Sequence, residues 1–234
     1  MANFVLVHGA WHGGWCYARV AKILRAAGHD VFTPTLTGLG ERSHLIAHGV
    51  NLDTHIQDVL NVIEWEGLDE LVLCGHSYGG IVVTAVADQV VDKLTALVYL
   101  DAFLPEDGDT TMCFLSPERQ VSMREDAMRR HELSVTPPDV SMYGVNADDI
   151  DWVQSKVTPH PFASFTQPVR LTNAHRRAKR IYVYAKGEVI SAPYYQQCLR
   201  DPEWTVFVTE RGGHDQMIDD PVTVSEILIK AANM

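Results

Sequence analysis

The stretch Leu71-Val72-Leu73-Cys74-Gly75-His76-Ser77-Tyr78-Gly79-Gly80 decides the architecture, because an apolar run stops abruptly at a serine flanked by glycines. The branched and apolar residues at 71–74 predict a short strand buried on both faces, and Ile81–Val91 predicts a packed helix. A strand must then become a helix within about two residues, which forces Ser77 into strained backbone geometry. Gly75 and Gly79 remove the β-carbons that would collide around such a bend. Gly-x-Ser-x-Gly alone is weak, since chance supplies it in on the order of one in ten chains of this length. The strand before and the helix after give it weight as a nucleophile elbow, with Ser77 at the tip and the unpaired, electropositive amides of a helix N-terminus beneath. The amide of Tyr78 could then hold the oxyanion formed when Ser77 attacks a carbonyl.

On either side of this stretch, strand and helix patterns alternate. Phe4–Val7 predicts a strand ending in the glycine-rich loop His8-Gly9-Ala10-Trp11-His12-Gly13-Gly14-Trp15. A helix over Tyr17–Ala27 closed by Gly28 follows, then a strand at Val31–Thr33 and a helix over Leu52–Glu64 with Gly67 past its end. Beyond the elbow come a strand at Thr95–Leu100 ending on Asp101, a strand at Arg180–Ala185, a helix near Pro193–Leu199, a strand at Thr205–Val208 and a last helix from about Pro221. Six strands joined by helical crossovers predict an α/β fold, a mostly parallel six-stranded sheet covered on both faces. The alternation is lost between 105 and 178, which predicts an inserted cap on a core made of 1–104 and 179–234.

Composition narrows the function classes. The 234 residues, 46% hydrophobic and 21% charged, suit one globular domain with a large core. A net charge of −11 disfavours nucleic acid and anionic membrane surfaces as partners. Cys16, Cys74, Cys113 and Cys198 form no Cys-x-x-Cys pair, so neither a zinc site nor a disulfide framework is expected. Reduced thiols, a first segment without a basic leader pattern and the lack of a long apolar run fit a cytoplasmic protein. The sequence leaves a homodimer open.

Reactive groups in such sheets collect at the carboxyl ends of the strands. His214 lies in the loop Glu210-Arg211-Gly212-Gly213-His214 directly after the last strand, and serine first with histidine last is the chain order that an elbow serine and its base require. Two carboxylates compete to orient that imidazole: Asp101, fixed at a strand end, and Glu188, in the loop Ala185-Lys186-Gly187-Glu188. Strand geometry favours Asp101 without removing Glu188. Asp215, Asp219 and Asp220 read as solvated, as do Arg129-Arg130-His131 and His175-Arg176-Arg177. His8, His12 and His76 lack an accompanying carboxylate cluster in sequence and read as loop structure rather than as a metal site. Trp11, Trp15 and Tyr78 are candidates for an acyl pocket. Phe103, Leu104, Met123, Met128, Met142, Trp152, Phe162 and Phe165 are candidates for an apolar ceiling, with Phe103 and Trp152 the leading substrate contacts beside Trp11.

The motifs at 4–15, Gly-His-Ser-Tyr-Gly-Gly at 75–80 and Gly-His-Asp at 213–215 resemble the α/β-hydrolase superfamily, and within it the plant methylesterases, hydroxynitrile lyases and their bacterial esterase relatives. The resemblance implies an α/β-hydrolase fold that begins at the third strand of the usual eight. It also implies a second oxyanion donor at Ala10 and an acid slot near Glu188, although other superfamily members use the position of Asp101. Lyases of this group carry a threonine and a lysine where this chain has Gly9 and Asp215, and an anionic side chain would not stabilise departing cyanide. The expected activity is that of a serine carboxylesterase acting on small to medium apolar or aromatic esters through an acyl-enzyme, with no metal or organic cofactor. A ligand-binding receptor on the same scaffold and a hydroxynitrile lyase are the alternatives.

Overall fold

In the computed structural model, which describes residues 1–234, six parallel strands form one sheet, in the spatial order 30–32, 3–7, 71–76, 94–100, 180–185 and 204–209. In chain order, β1 (Asn3–Val7) precedes α1 (Ala18–Ala26), β2 (Asp30–Phe32), α2 (Leu52–Trp65), β3 (Leu71–His76), α3 (Gly79–Val90) and β4 (Leu94–Leu100). A long excursion then holds α4 (Pro117–Arg129), β5 (Ser134–Val135), α5 (Ile150–Gln154), β6 (His160–Pro161) and α6 (Phe162–Thr166), with β5 and β6 paired antiparallel. The chain returns through β7 (Arg180–Ala185), α7 (Ala192–Arg200), β8 (Trp204–Thr209), the short α8 (Gln216–Asp219) and α9 (Pro221–Ala232).

The sheet divides the apolar residues into two cores because a strand alternates its side chains between faces. Val5, Val7, Leu71, Leu73, Leu97, Tyr99 and Tyr182 enter one cluster, with α2 and α3. Their neighbours Phe4, Leu6, Val72, Cys74, Val98, Leu100, Ile181 and Val183 enter the other, with α1 and α9. The central strands therefore read as continuous apolar runs, and α3, buried through Ala87, lacks the polar face of a surface helix. Helix starts follow local chemistry: Asn51 and Thr54 form a reciprocal capping box at α2, Ser116 caps α4, and Asp220 caps α9.

Element types follow the pattern expected from sequence, with boundaries moved by a residue or two. The strand expected at 31–33 occupies 30–32, and α3 begins at Gly79, two residues before the first apolar residue of its run. That earlier start tightens the elbow. Ser77 takes φ 53°, a left-handed conformation costly for a residue with a β-carbon. It is clamped by its N–H donating to the Leu100 carbonyl at 3.3 Å and by its carbonyl accepting from Gly80 and Phe103 at 2.9 and 3.2 Å. A β-carbon on Gly75 would lie 2.5 Å from the Gly79 carbonyl oxygen, and one on Gly79 2.7 Å from the carbonyl oxygens of Val7 and His8. Both glycines are required because backbone passes where a side chain would begin.

Gly75→Ala should therefore lower stability by about 1–3 kcal/mol, the usual cost of overpacking where the obstructing atoms are main chain. A urea midpoint reduced at unchanged slope would show this, and a midpoint equal to that of wild type would refute it.

Candidate active site

Five loops meet at the carboxyl edge of the sheet. β1 delivers Ala10 and Trp11, β3 delivers Ser77 and Tyr78, β4 delivers Asp101 and Phe103, the β7 loop delivers Glu188, and the β8 loop delivers His214. With residues of the 105–178 excursion they enclose a cavity of about 320 Å³. Ala10, Trp11, Ser77, Tyr78, Phe103, Glu188 and His214 all line it.

His214 is held from two sides. Its backbone N–H donates to the Tyr143 carbonyl at 2.8 Å, and its Nδ1 donates to Asp101 Oδ2 at 2.6 Å. Asp101 is itself immobilised: its side chain is fully buried, its N–H donates to the Val183 carbonyl, and Oδ1 accepts from the Ala185 amide at 3.1 Å and the Ser191 hydroxyl at 2.6 Å. Like Ser77 it has positive φ, 47°. Burial disfavours the charged form of His214, but the hydrogen bond and charge of Asp101, with Asp215 and Glu188 nearby, outweigh it and raise its pKa above the ordinary 6.5. The other ring nitrogen, Nε2, and the Ser77 hydroxyl are engaged by no other group of the chain.

The two acids considered from sequence thus occupy different places. Asp101 bonds the imidazole, whereas Glu188 is half-buried in the cavity wall, with burial the main cause of its raised pKa. Asp101, Glu188 and His214 bring ligand-type atoms within 4.8 Å of one another, but both Asp101 oxygens and Nδ1 of His214 are consumed by hydrogen bonds. The amides of Ala10 and Tyr78 donate no hydrogen bond within the chain, while the next amide, that of Trp11, donates to His160 Nδ1 at 3.2 Å.

Several expectations need correction. Trp152 is not in the cavity: it packs edge-on against Trp15, with the Arg19 guanidinium over its ring. Trp15 likewise stacks on His12 away from the cavity. Of the proposed ceiling, Phe103, Met123, Met142 and Phe165 line the cavity, whereas Leu104, Met128 and Phe162 do not. His175 is buried on Asp88 rather than solvated. Asp215 is fully buried, and its Oδ2 accepts from His12 Nε2 at 3.1 Å. His12 therefore does have a carboxylate partner, brought from the far end of the chain, and His76 lies 3.7 Å from the same carboxylate. Asp219 is half-buried and accepts from the Asn146 and Gly213 amides, and Asp220 serves as the α9 cap. Thr111, Phe114, Leu115, Arg119 and Tyr143, also in the wall, carry no motif that would have marked them.

The model of the alpha/beta hydrolase family matches residues 4–227. The chain belongs to that family. It is 45% identical to a carbendazim-hydrolysing esterase of Nocardioides sp. (strain SG-4G), over 97% of this chain and 98% of that protein. It is 27% identical to the rice esterase PIR7B, over 99% and 96%. An extracellular alpha/beta-hydrolase from a Paenibacillus species superposes with a TM-score of 0.87 at 22% identity, covering 99% of both chains. This protein is accordingly an ester hydrolase, and its six-stranded sheet is the family's fold. No helix is long and apolar enough to cross a membrane.

The Asp215 carboxyl pKa is held down to about 2: burial opposes ionisation, but the charge of His12 and the hydrogen bond it donates prevail. A depressed folded-state pKa contributes stability that is present above the unfolded value near 4 and lost as pH falls through about 2, on the order of 2 kcal/mol. For His12 the sign reverses: its pKa is raised, so its contribution is full below about 6.5 and lost as pH rises past the folded value. Urea midpoints between pH 4 and 2 should fall less steeply for Asp215→Asn than for wild type, and parallel curves would contradict this assignment.

Proposed function

We propose that the protein is a serine carboxylesterase in which Ser77 is the nucleophile, His214 the base and Asp101 the acid, and that its substrates are small to medium esters with an apolar or aromatic part. The observation that carries this reading is the 2.6 Å bond between His214 and a fully buried Asp101, at a cavity that Ser77 shares from a left-handed bend. Asp101 holds one tautomer, with the proton on Nδ1, so that Nε2 keeps the lone pair a base needs. Substrate binding brings the Ser77 hydroxyl onto Nε2, a contact that commonly tightens only in the complex.

His214 takes the Ser77 proton as Oγ attacks the ester carbonyl. The amides of Ala10 and Tyr78, free of other partners, supply the oxyanion contacts, each worth roughly 10²–10³ in rate. The imidazolium then protonates the departing alcohol, and water activated by the same imidazole releases the acid. Trp11, Phe103, Phe114 and Phe165 make most of the cavity wall apolar and support an aromatic acyl or alcohol group. The segment 105–178 acts as a cap in this scheme, supplying Phe114, Met123, Met142 and Phe165. The side chain after His214 offers no cation for a departing cyanide, because Asp215 is a carboxylate, and it is turned into the interior against His12. The relative named for carbendazim hydrolysis makes carbendazim the first larger compound to assay.

p-Nitrophenyl butyrate should be turned over by wild type and not measurably by Ser77→Ala. Asp101→Asn should cost about 10⁴ in kcat by favouring the wrong tautomer, whereas Glu188→Gln should stay within roughly tenfold of wild type. The reverse ranking would transfer the acid role to Glu188. The base must be neutral to act, so kcat/KM should fall as pH drops through a raised His214 pKa, above 6.5. An acid limb well below pH 6 would contradict the assignment.

A further inference from the structure

We propose that the buried His12–Asp215 pair is a positioning device that holds the oxyanion loop after β1 in register with the catalytic-histidine loop after β8. The inference rests on the functional reading above, in which the Ala10 amide holds the oxyanion of the carbonyl that Ser77 attacks with His214 as its base.

The sheet cannot provide this register itself. β1 and β8 are separated by β3, β4 and β7, and no backbone hydrogen bond joins residues 8–15 to residues 211–215. The Ala10–Trp11 segment is also under strain, since Trp11 takes φ 64° without being glycine. Side chains bridge the gap. His12 Nδ1 donates to the Ala10 carbonyl at 2.8 Å while its Nε2 donates to Asp215 Oδ2 at 3.1 Å. His76, one residue before the nucleophile, donates from Nε2 to the His214 carbonyl at 2.9 Å and lies 3.7 Å from Asp215 Oδ1. Asp215 thus joins the loop that carries the Ala10 amide to the loop that carries His214, and His76 ties the elbow that carries Ser77 to that same loop.

The chemistry of the partners decides the charge state. Both neighbours of the His12 ring are acceptors, a carbonyl and a carboxylate, so both ring nitrogens carry hydrogen and the pair is ionic. His76 has a partner only for Nε2–H and is neutral, in keeping with its lowered pKa, of which burial is the main cause. The side chains of His12 and Asp215 are 2% and 0% exposed, and neither residue lines the cavity. They cannot touch substrate and act through Ala10 and His214. A buried ion pair adds little net stability over an apolar filling, so its contribution here is sought in geometry.

The test uses the intact protein with p-nitrophenyl butyrate, at about pH 8, above the limb set by His214. It also uses a trifluoromethyl ketone, whose adduct with Ser77 places an anionic oxygen on the same amides. Asp215→Ala should lower kcat by about 10–100-fold, the scale of a misplacement near 1 Å, with KM within about twofold and ketone affinity reduced by a factor similar to that of kcat. Asp215→Asn can still bond His12 and should recover most of the loss. His12→Ala cuts the same link from the other side, so the double variant should be no worse than the poorer single variant; it also serves if Asp215→Ala does not fold. An Asp215→Ala enzyme within twofold of wild-type kcat would overturn the proposal. So would a loss that ketone binding does not follow, or one that Asn fails to recover. Wild type lacking Ser77-dependent turnover would instead overturn the esterase reading itself.

Discussion

A left-handed backbone at residues that carry a β-carbon is the constraint on which the rest of this molecule depends. Trp11, Ser77 and Asp101 all have positive φ, at 64°, 53° and 47°, and they follow strands β1, β3 and β4. Such conformations cost on the order of 1–3 kcal/mol each and persist only where the surroundings over-determine them. Here the surroundings are main chain packed against main chain: Gly75 lets β3 fold back onto the start of α3, Gly79 lets the elbow touch the end of β1, and a β-carbon on Gly80 would lie 2.4 Å from the Phe103 carbonyl oxygen. The two apolar cores on either face of the sheet supply the burial that holds these bends in place.

Electrostatics at this edge follow from burial and partner chemistry. His8, His55, His76 and His160 are enclosed without a carboxylate partner within bonding distance, and burial pushes each below the ordinary histidine value, to about 3 for His8 and about 4 for His55. Their neutral rings act as fixed donors and acceptors: His8 accepts from the Leu36 amide, and the Tyr78 hydroxyl donates to His55. His12 and His214 differ because each has a buried aspartate, and both are raised. Among these histidines a carboxylate partner thus favours the charged ring in two places, one bordering the cavity and one behind it.

The cavity itself joins two kinds of chain. The sheet edge provides the groups whose position is fixed by strand ends. The excursion between β4 and β7 provides Phe114, Leu115, Arg119, Met123 and Tyr143, whose identities shape what can enter. The two parts are fastened together: the Thr158 amide donates to the Trp11 carbonyl, the Trp11 indole donates to the Val135 carbonyl, and Tyr143 accepts from the backbone of His214. Changes in the excursion can therefore reach the loop that carries Ala10 and the loop that carries His214 without altering the sheet.

Local pattern in the sequence determined the strands, the helices, the parallel sheet, the elbow and the placement of Ser77, His214, Ala10 and Tyr78 at one edge. It did so because period-two and helical periodicities and glycine requirements act between near neighbours along the chain. Which carboxylate bonds His214 was decided only by the tertiary structure: the Ala185 amide and Ser191 hydroxyl that anchor Asp101 come from a different part of the chain, and Glu188 turned to the cavity instead. The burial of Asp215 on His12 and the exclusion of Trp152 from the cavity were likewise invisible, because both depend on loops meeting across the sheet. A residue's own neighbours specify its backbone, but the partner of a buried charge is chosen by whatever chain folds against it.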